Sequence, residues 1–154
     1  MSPAPKTRHQ IIVGEIYLNA RGFEAAGGGL ALASPIDVVL SDDTVLQPDV
    51  IYICQARRHI IGDCVSGPPD LVIEVLSEGH ERRDTVEKLA LYARFGVPEY
   101  WIIDPRTETI QFLILDSGRY VHHTGLDNQY QSPRLSEVRI DLAQFWREIR
   151  RRLP

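Results

Sequence analysis

The chain has 154 residues, of which 44% are hydrophobic and 25% charged, a balance typical of a soluble globular protein. This length predicts one domain over residues 1–154. The formal net charge of −4 argues against a protein that coats nucleic acid with a basic surface, although an enzyme could still contact DNA locally. The polar N-terminus and the absence of an apolar run of about 20 residues predict a cytoplasmic protein without signal peptide or membrane span.

The first half of the chain predicts one helix followed by three strands. Ile12, Ile16 and Ala20 have helical spacing, so a helix is expected over residues 8–20, ended by Gly22 and the glycines at 27–29. Residues 30–40 and 45–54 resemble strands joined by a short polar turn. Residues 71–76 are apolar except for Glu74, as in a central strand buried on both faces.

The second half predicts a helix, a strand, a hairpin and a last helix. Apolar residues at helical spacing cover residues 86–93, and Gly96 follows as a stop signal. Strands are expected at 99–103, 108–115 and 119–124, and an amphipathic helix from Asp141. The predicted order is therefore α-β-β-β-α-β, then a β-hairpin and a C-terminal helix.

Two acidic residues interrupt strands that are otherwise apolar. Asp49 begins the second strand-like segment, and Glu74 lies in the middle of residues 71–76. A buried ionised carboxylate costs several kcal/mol unless it is paired or bound to a metal. Each of these acids therefore requires a compensating group.

Lys88 is the best candidate partner for Glu74. A strand residue two positions after Glu74 would share its face, but that residue is Leu76, which carries no charge. Lys88 precedes Tyr92 by one helical turn, in the part of the helix that can face the sheet. For these two residues alone, a structural ion pair and a functional site are equally good interpretations.

Asp49 favours the functional interpretation if neighbouring strands bring it close to Glu74. Two converging carboxylates raise each other's pKa unless a cation lies between them. Mg²⁺ or Mn²⁺ suits two carboxylates, a backbone carbonyl and water. The sequence thus predicts a metal site, with the proximity of the two acids inferred from strand order.

A longer pattern resembles a known family. It includes Gln47-Pro48-Asp49 and continues with Pro69-Asp70-Leu71-Val72-Ile73-Glu74-Val75-Leu76-Ser77, Asp84, Glu87-Lys88-Leu89, Tyr92, Gly96-Val97-Pro98-Glu99-Tyr100-Trp101 and Asp104-Pro105. Over residues 9–124 the chain resembles the Uma-type family of candidate bacterial restriction endonucleases, in the PD-(D/E)xK nuclease superfamily.

This resemblance implies a restriction-endonuclease-like α/β fold with a mixed central β-sheet flanked by helices. It implies that Asp49, Glu74 and Lys88 are catalytic, and that Asp49, Glu74 and the carbonyl of Val75 bind Mg²⁺, with Mn²⁺ possible. The implied reaction is hydrolysis of DNA phosphodiester bonds by a homodimer.

Other residues receive weaker predictions. Asp37 and Glu15 are accessory candidates, with exposed or structural roles favoured, and Asp70 is expected to cap a strand or contact a loop. Asp84 can pair with Lys88 on the helix surface. The histidines, His9 among them, lack the spacing of a zinc site, and Tyr100, Trp101 and Trp146 are expected in the core.

Two alternatives to a DNA endonuclease remain open. One is an inactive nuclease-fold module for binding or regulation, in which Glu74 and Lys88 form a structural ion pair. The other is a hydrolase acting on a phosphoester other than DNA.

Overall fold

The computed structural model describes residues 6–77 and 81–154, with only the backbone of residues 81–84. Its α-helices are α1 (Thr7–Gly27), α2 (Glu81–Arg94) and α3 (Leu142–Arg152), and a 3-10 helix covers Gln55–Ile60. The strands are β1 (Leu30–Ala33), β2 (Val38–Ser41), β3 (Thr44–Leu46), β4 (Val50–Ile53), β5 (Val65–Ser66), β6 (Leu71–Val75), β7 (Glu99–Asp104), β8 (Thr109–Asp116), β9 (Arg119–His123), β10 (Gln129–Gln131) and β11 (Arg139–Asp141).

Helix α1 forms because an apolar stripe repeats at helical spacing along it. Its buried residues are Ile12, Val13, Ile16, Ala20 and Phe23. The helix is longer than the predicted 8–20, since the isolated Gly22 costs only about 1 kcal/mol in a helix interior and the apolar stripe continues beyond it. It ends at Gly27 and is capped by Gly28, whose left-handed φ of 73° suits a residue without a side chain.

The main sheet has the strand order β1-β4-β6-β7-β8-β9. Strands β6 and β7 are parallel and the other neighbouring pairs are antiparallel, which confirms the predicted mixed sheet. Helix α2 is the crossover between the two parallel strands. Strands β2, β3 and β5 form a smaller sheet, and β10 pairs with β11.

The prediction that residues 30–40 and 45–54 each form one continuous strand is wrong. The first divides into β1 and β2 around Ser34 and Pro35, and the second into β3 and β4 around Pro48. A proline has no N–H for a ladder hydrogen bond, so each division falls where pairing cannot continue.

Two hydrophobic clusters cover the faces of the main sheet. One joins α1 and α3 to one face through residues such as Ile16, Trp101 and Phe145. The other lies on the α2 side and contains Val72 and Tyr92. Because strand residues alternate between faces, Glu74 shares the α2 side with Val72.

None of the helices in the described ranges is long and apolar enough to cross a lipid bilayer.

Candidate active site

The site lies where β4 and β6 separate. The two strands pair with Val50 opposite Ile73, so the same register, extended by one residue, sets Asp49 opposite Glu74. At this point a side chain replaces the backbone ladder, because Asp49 Oδ2 accepts a hydrogen bond from Val75 N at 2.8 Å. Pro48, the next residue along, cannot donate a backbone N–H to β6. This separation of β4 from β6, the fork between the two strands, therefore brings Asp49 next to the end of β6.

Glu74 points from β6 toward α2 and is held by two residues of that helix. Tyr92 donates its hydroxyl to Glu74 Oε1 at 2.8 Å. Lys88 Nζ lies 3.2 Å from the same oxygen. The Glu74 side chain is only 8% exposed and that of Lys88 is 28% exposed, so the ion pair connects the core to solvent.

Burial dominates the electrostatics of this carboxylate. It raises the pKa of Glu74, and the nearby Asp49 charge raises this pKa further, while Lys88 and Tyr92 act in the opposite direction. Burial and the Glu74 charge also raise the pKa of Tyr92 well above its usual range, so the phenol remains a hydrogen-bond donor. The balance leaves a carboxylate pair that a further cation would stabilise.

His9 reaches the same place from the first turn of α1. Its Nε2 lies 3.1 Å from the carbonyl oxygen of Val75 and 3.6 Å from Asp49 Oδ2. The Asp49 carboxylate raises the pKa of His9, an effect larger than the opposing effect of burial. His9 Nδ1 is buried and has no hydrogen-bond partner within the described part of the chain.

The structure brings together the three residues that the sequence singled out. Asp49, Glu74 and Lys88 line one cavity, and Val75 borders it as well. The remaining residues that line this cavity are His9, Gln47, Leu76, Ser77, Thr85 and Tyr100. The catalytic and metal-binding roles assigned to these residues stay predictions.

The accessory candidates lie elsewhere. Asp37 accepts a hydrogen bond from Gln47 Nε2 at 2.7 Å, so it contacts a residue that lines the cavity without lining it. Glu15 Oε2 lies 3.5 Å from Arg152 Nη1, outside this cavity. The predicted Asp84–Lys88 pair falls on a side chain outside the described residues.

The remaining structural predictions agree with the observed contacts. Asp70 accepts a hydrogen bond from Cys54 N at 2.9 Å and pairs with Arg57, which confirms its expected loop contact. Tyr100, Trp101 and Trp146 are buried, as predicted.

Sequence reasoning missed His9 and the hydrogen bond from Tyr92. His9 precedes Ile12, Val13 and Ile16 by three, four and seven residues, so the helical stripe, extended backward, would have placed it on the buried face. Tyr92 follows Lys88 by four residues, which sets both on one face of α2. The helical spacing in the sequence therefore contained a signal for His9 and another for Tyr92.

The donor set suits a hard divalent cation. No three His, Cys, Asp or Glu side chains in the described ranges form a ready metal cluster. The atoms available are instead two carboxylates and the carbonyl of Val75, the oxygen ligands that Mg²⁺ and Mn²⁺ accept. Burial, and after it the Asp49 charge, raises the pKa of Glu74 against the effect of Lys88, so a bound cation would stabilise the ionised form of Glu74.

Comparisons with known proteins agree with this architecture. A crystal structure of a nuclease from Anabaena variabilis ATCC 29413, described as putative and as a member of DUF820, superposes with a TM-score of 0.76 at 16% identity. The match covers 96% of this chain and 84% of the other, and it shows a shared fold. A search of curated proteins finds no match. The family model Uma2, described as "putative restriction endonuclease", matches residues 1–143, and the chain therefore belongs to the Uma2 family.

Proposed function

We propose that the protein is a divalent-metal-dependent nuclease that hydrolyses DNA phosphodiester bonds in the cavity bordered by α1, the segment before β4, the end of β6 and α2. One observation carries this proposal. A Uma2-family chain places two carboxylates, Asp49 and Glu74, and one ammonium group, Lys88, on the wall of a single cavity.

Asp49, Glu74 and the Val75 carbonyl would hold the cation. When bound, a divalent cation lowers the pKa of a coordinated water and polarises a phosphoryl oxygen. The hydrogen bond from Val75 N fixes one oxygen of Asp49, and Tyr92 fixes one oxygen of Glu74. These contacts would orient both carboxylates before the cation binds, which lowers the cost of ordering them.

Lys88 would supply positive charge to the reacting phosphate. Its Nζ is held 3.2 Å from Glu74 Oε1, while its side chain still borders the cavity. An ammonium held in this position stabilises the negative charge that develops on phosphoryl oxygens during hydrolysis. It can also orient the attacking water.

A second candidate function is a nuclease-fold binding module without catalysis. It is favoured by the direct contact of Lys88 with Glu74, because a closed ion pair satisfies both groups without a cation. In that case the pair specifies how α2 packs on β6.

A cleavage assay separates these functions. The wild-type protein, Glu74→Gln and Lys88→Met would be incubated with supercoiled plasmid, single-stranded DNA and bis(p-nitrophenyl) phosphate, with Mg²⁺, Mn²⁺ or EDTA. Val86→Ala is the matched control, since Val86 is 65% exposed on the same helix as Lys88. Circular dichroism would verify that each variant is folded.

We expect metal-dependent DNA cleavage by the wild type and Val86→Ala. We expect a loss of at least about 100-fold in both site variants, the effect of removing one group that stabilises the transition state. Equal nicking by all four proteins would indicate a contaminant and contradict the proposal. Folded wild-type protein without cleavage under any condition would favour the binding module, and cleavage of the small diester alone would indicate another phosphoester substrate.

A further inference from the structure

We propose that His9 Nε2 is a direct ligand of the cation, so that the site favours Mn²⁺ and similar transition-metal ions over Mg²⁺. This inference rests on the proposed function, since it assigns an additional ligand to the same metal site. Among the described residues of α1, His9 is the one that lines the cavity, so the proposal gives this helix a chemical role.

The distances from His9 are those expected between neighbouring ligands of one ion. With metal–ligand bonds of about 2.1 Å, adjacent ligands of an octahedral ion are separated by about 3 Å. His9 Nε2 lies 3.1 Å from the Val75 carbonyl oxygen and 3.6 Å from Asp49 Oδ2. Val75 and Asp49 are assigned to the metal on grounds that do not involve His9. One imidazole nitrogen therefore faces two predicted ligands. Because no three His, Cys, Asp or Glu side chains of the described residues form a ready cluster, the ion would have to draw His9, Asp49 and Glu74 closer together when it binds.

The position of His9 is well fixed. It stands three and four residues before Ile12 and Val13, which are buried against the sheet, and its own side chain is only 13% exposed. A ligand on a packed helix needs little ordering when the ion binds. The imidazole is therefore directed at the site by the core of the protein.

No hydrogen bond to Nδ1 from the described residues prevents the imidazole proton from moving to that nitrogen. Without a cation, Nε2–H can donate to the Val75 carbonyl. A ligating Nε2 needs its lone pair, so the proton must move to Nδ1. A donor to Nδ1 would prevent this tautomer, and none is present among the described residues. The ligating form then has a buried Nδ1–H without an acceptor, which predicts weaker metal binding than at a histidine whose second nitrogen is hydrogen-bonded.

An imidazole ligand changes which ions the site prefers. Carboxylate and carbonyl oxygens alone suit Mg²⁺, whereas imidazole suits later divalent ions, whose affinity for nitrogen rises from Mn²⁺ onward. Loss of His9 should therefore weaken Mn²⁺ binding more than Mg²⁺ binding. A histidine with a purely structural role would not alter this ratio.

Electron paramagnetic resonance of bound Mn²⁺ tests the proposal without an activity assay. Mn²⁺ would be titrated into wild type, His9→Ala, His9→Gln and Asp49→Asn, with Mg²⁺ affinity measured by competition. Pulsed spectra would report ¹⁴N coupling from a coordinated imidazole. His59→Ala, which removes an exposed histidine on the 3-10 helix, is the matched control.

We expect ¹⁴N coupling in the wild type and in His59→Ala, and none in His9→Ala or His9→Gln. The Mn²⁺ affinity of both His9 variants should fall at least about tenfold, because loss of a residue that merely hydrogen-bonds a metal ligand already costs that much. Their preference for Mn²⁺ over Mg²⁺ should fall as well. The wild-type spectrum needs no variant, so a misfolded variant would still leave the proposal testable.

Three results would overturn the proposal or separate it from the proposed function. Mn²⁺ bound in an Asp49-dependent manner without ¹⁴N coupling would overturn the role of His9 and leave the nuclease site intact. Tighter Mn²⁺ binding by His9→Ala would also overturn it, because His9 would then compete with the ion. Clear ¹⁴N coupling in a protein that cleaves no DNA would support the ligand and contradict the nuclease.

Discussion

At the scale of single residues, Glu74 determines the character of the site. It is a carboxylate in a strand whose other residues are fully or almost fully buried, and α2 supplies both of its described partners. Lys88 brings charge and Tyr92 brings a neutral donor. The contribution of the Tyr92 hydrogen bond depends on the charge of its acceptor, so substitutions at Tyr92 and Glu74 can measure it.

Tyr92→Phe should lower the free energy of unfolding by about 1.5–3 kcal/mol, the usual value of a hydrogen bond to a charged group. In a Glu74→Gln background the same substitution should cost only about 0.5–1.5 kcal/mol, because the acceptor is then neutral. Urea unfolding of the four proteins closes this double-mutant cycle.

Tyr120→Phe provides the control for this cycle. The Tyr120 hydroxyl donates to the neutral carbonyl of Val97 at 2.8 Å, so its loss should cost the same in both backgrounds. If Tyr92→Phe also cost the same in the wild-type and Glu74→Gln backgrounds, the phenol would act through packing and not through the carboxylate.

At the scale of elements, sequence patterns predicted the type of each major element better than its limits. Helical spacing of Ile12, Ile16 and Ala20 indicated α1, but a glycine rule ended the helix too early at Gly22. Local pattern does not report that the core continues along the helix to Phe23, because that burial depends on the sheet beneath it. The predicted strands likewise ran through Pro35 and Pro48, although each proline marks a position where a ladder hydrogen bond is lost.

The residues of the candidate site also differ in how far the sequence could predict them. Glu74 and Lys88 could be predicted from the sequence because an acid in an apolar strand requires a partner and Leu76 excludes the nearest strand position. The contact of Asp49 with Val75 depends on the fork between β4 and β6, a tertiary feature. His9 lies 66 residues from Val75, and no local pattern joins them.

Gly29, which lies between α1 and β1, provides a test at the scale of elements. A Cβ on Gly29 would lie 2.3 Å from the carbonyl oxygen of Ile53 and 2.4 Å from the Tyr52 hydroxyl. Gly29→Ala should therefore force β1 away from β4 and lower the free energy of unfolding by about 1–3 kcal/mol or more.

Gly14→Ala is its matched control. Gly14 lies inside α1, and a Cβ there meets nothing within 4 Å. The substitution should raise the free energy of unfolding by about 0.5–1 kcal/mol, because alanine favours the helix. Thermal and urea unfolding would measure both variants, and a neutral Gly29→Ala would show that β1 can move without loss.

At the scale of the whole molecule, the C-terminal part is integral to the core that supports the site. Phe145, Trp146 and Ile149 of α3 pack in the same cluster as Ile12 and Ile16 of α1, the helix that carries His9. Buried Glu99, at the start of β7, adds a polar connection, since Tyr130 of β10 and the nearby Ser132 donate hydrogen bonds to its carboxylate. The match to the family model ends at residue 143, so it does not include Phe145, Trp146 and Ile149.

Deletion of residues 142–154 should therefore abolish cooperative folding. Burial of each large apolar side chain contributes about 1.5–3 kcal/mol, so loss of three removes about as much as the 5–15 kcal/mol that stabilises a typical domain. Circular dichroism should show a broad thermal transition in place of a sharp one, and the deleted protein should lose Mn²⁺ binding because α1 no longer holds His9 in place. Arg147→Ala, an exposed change on the same helix, should keep the wild-type transition. A sharp transition at the wild-type temperature after deletion would mean that α1 packs on the sheet without α3, and that the site is organised by residues 6–141 alone.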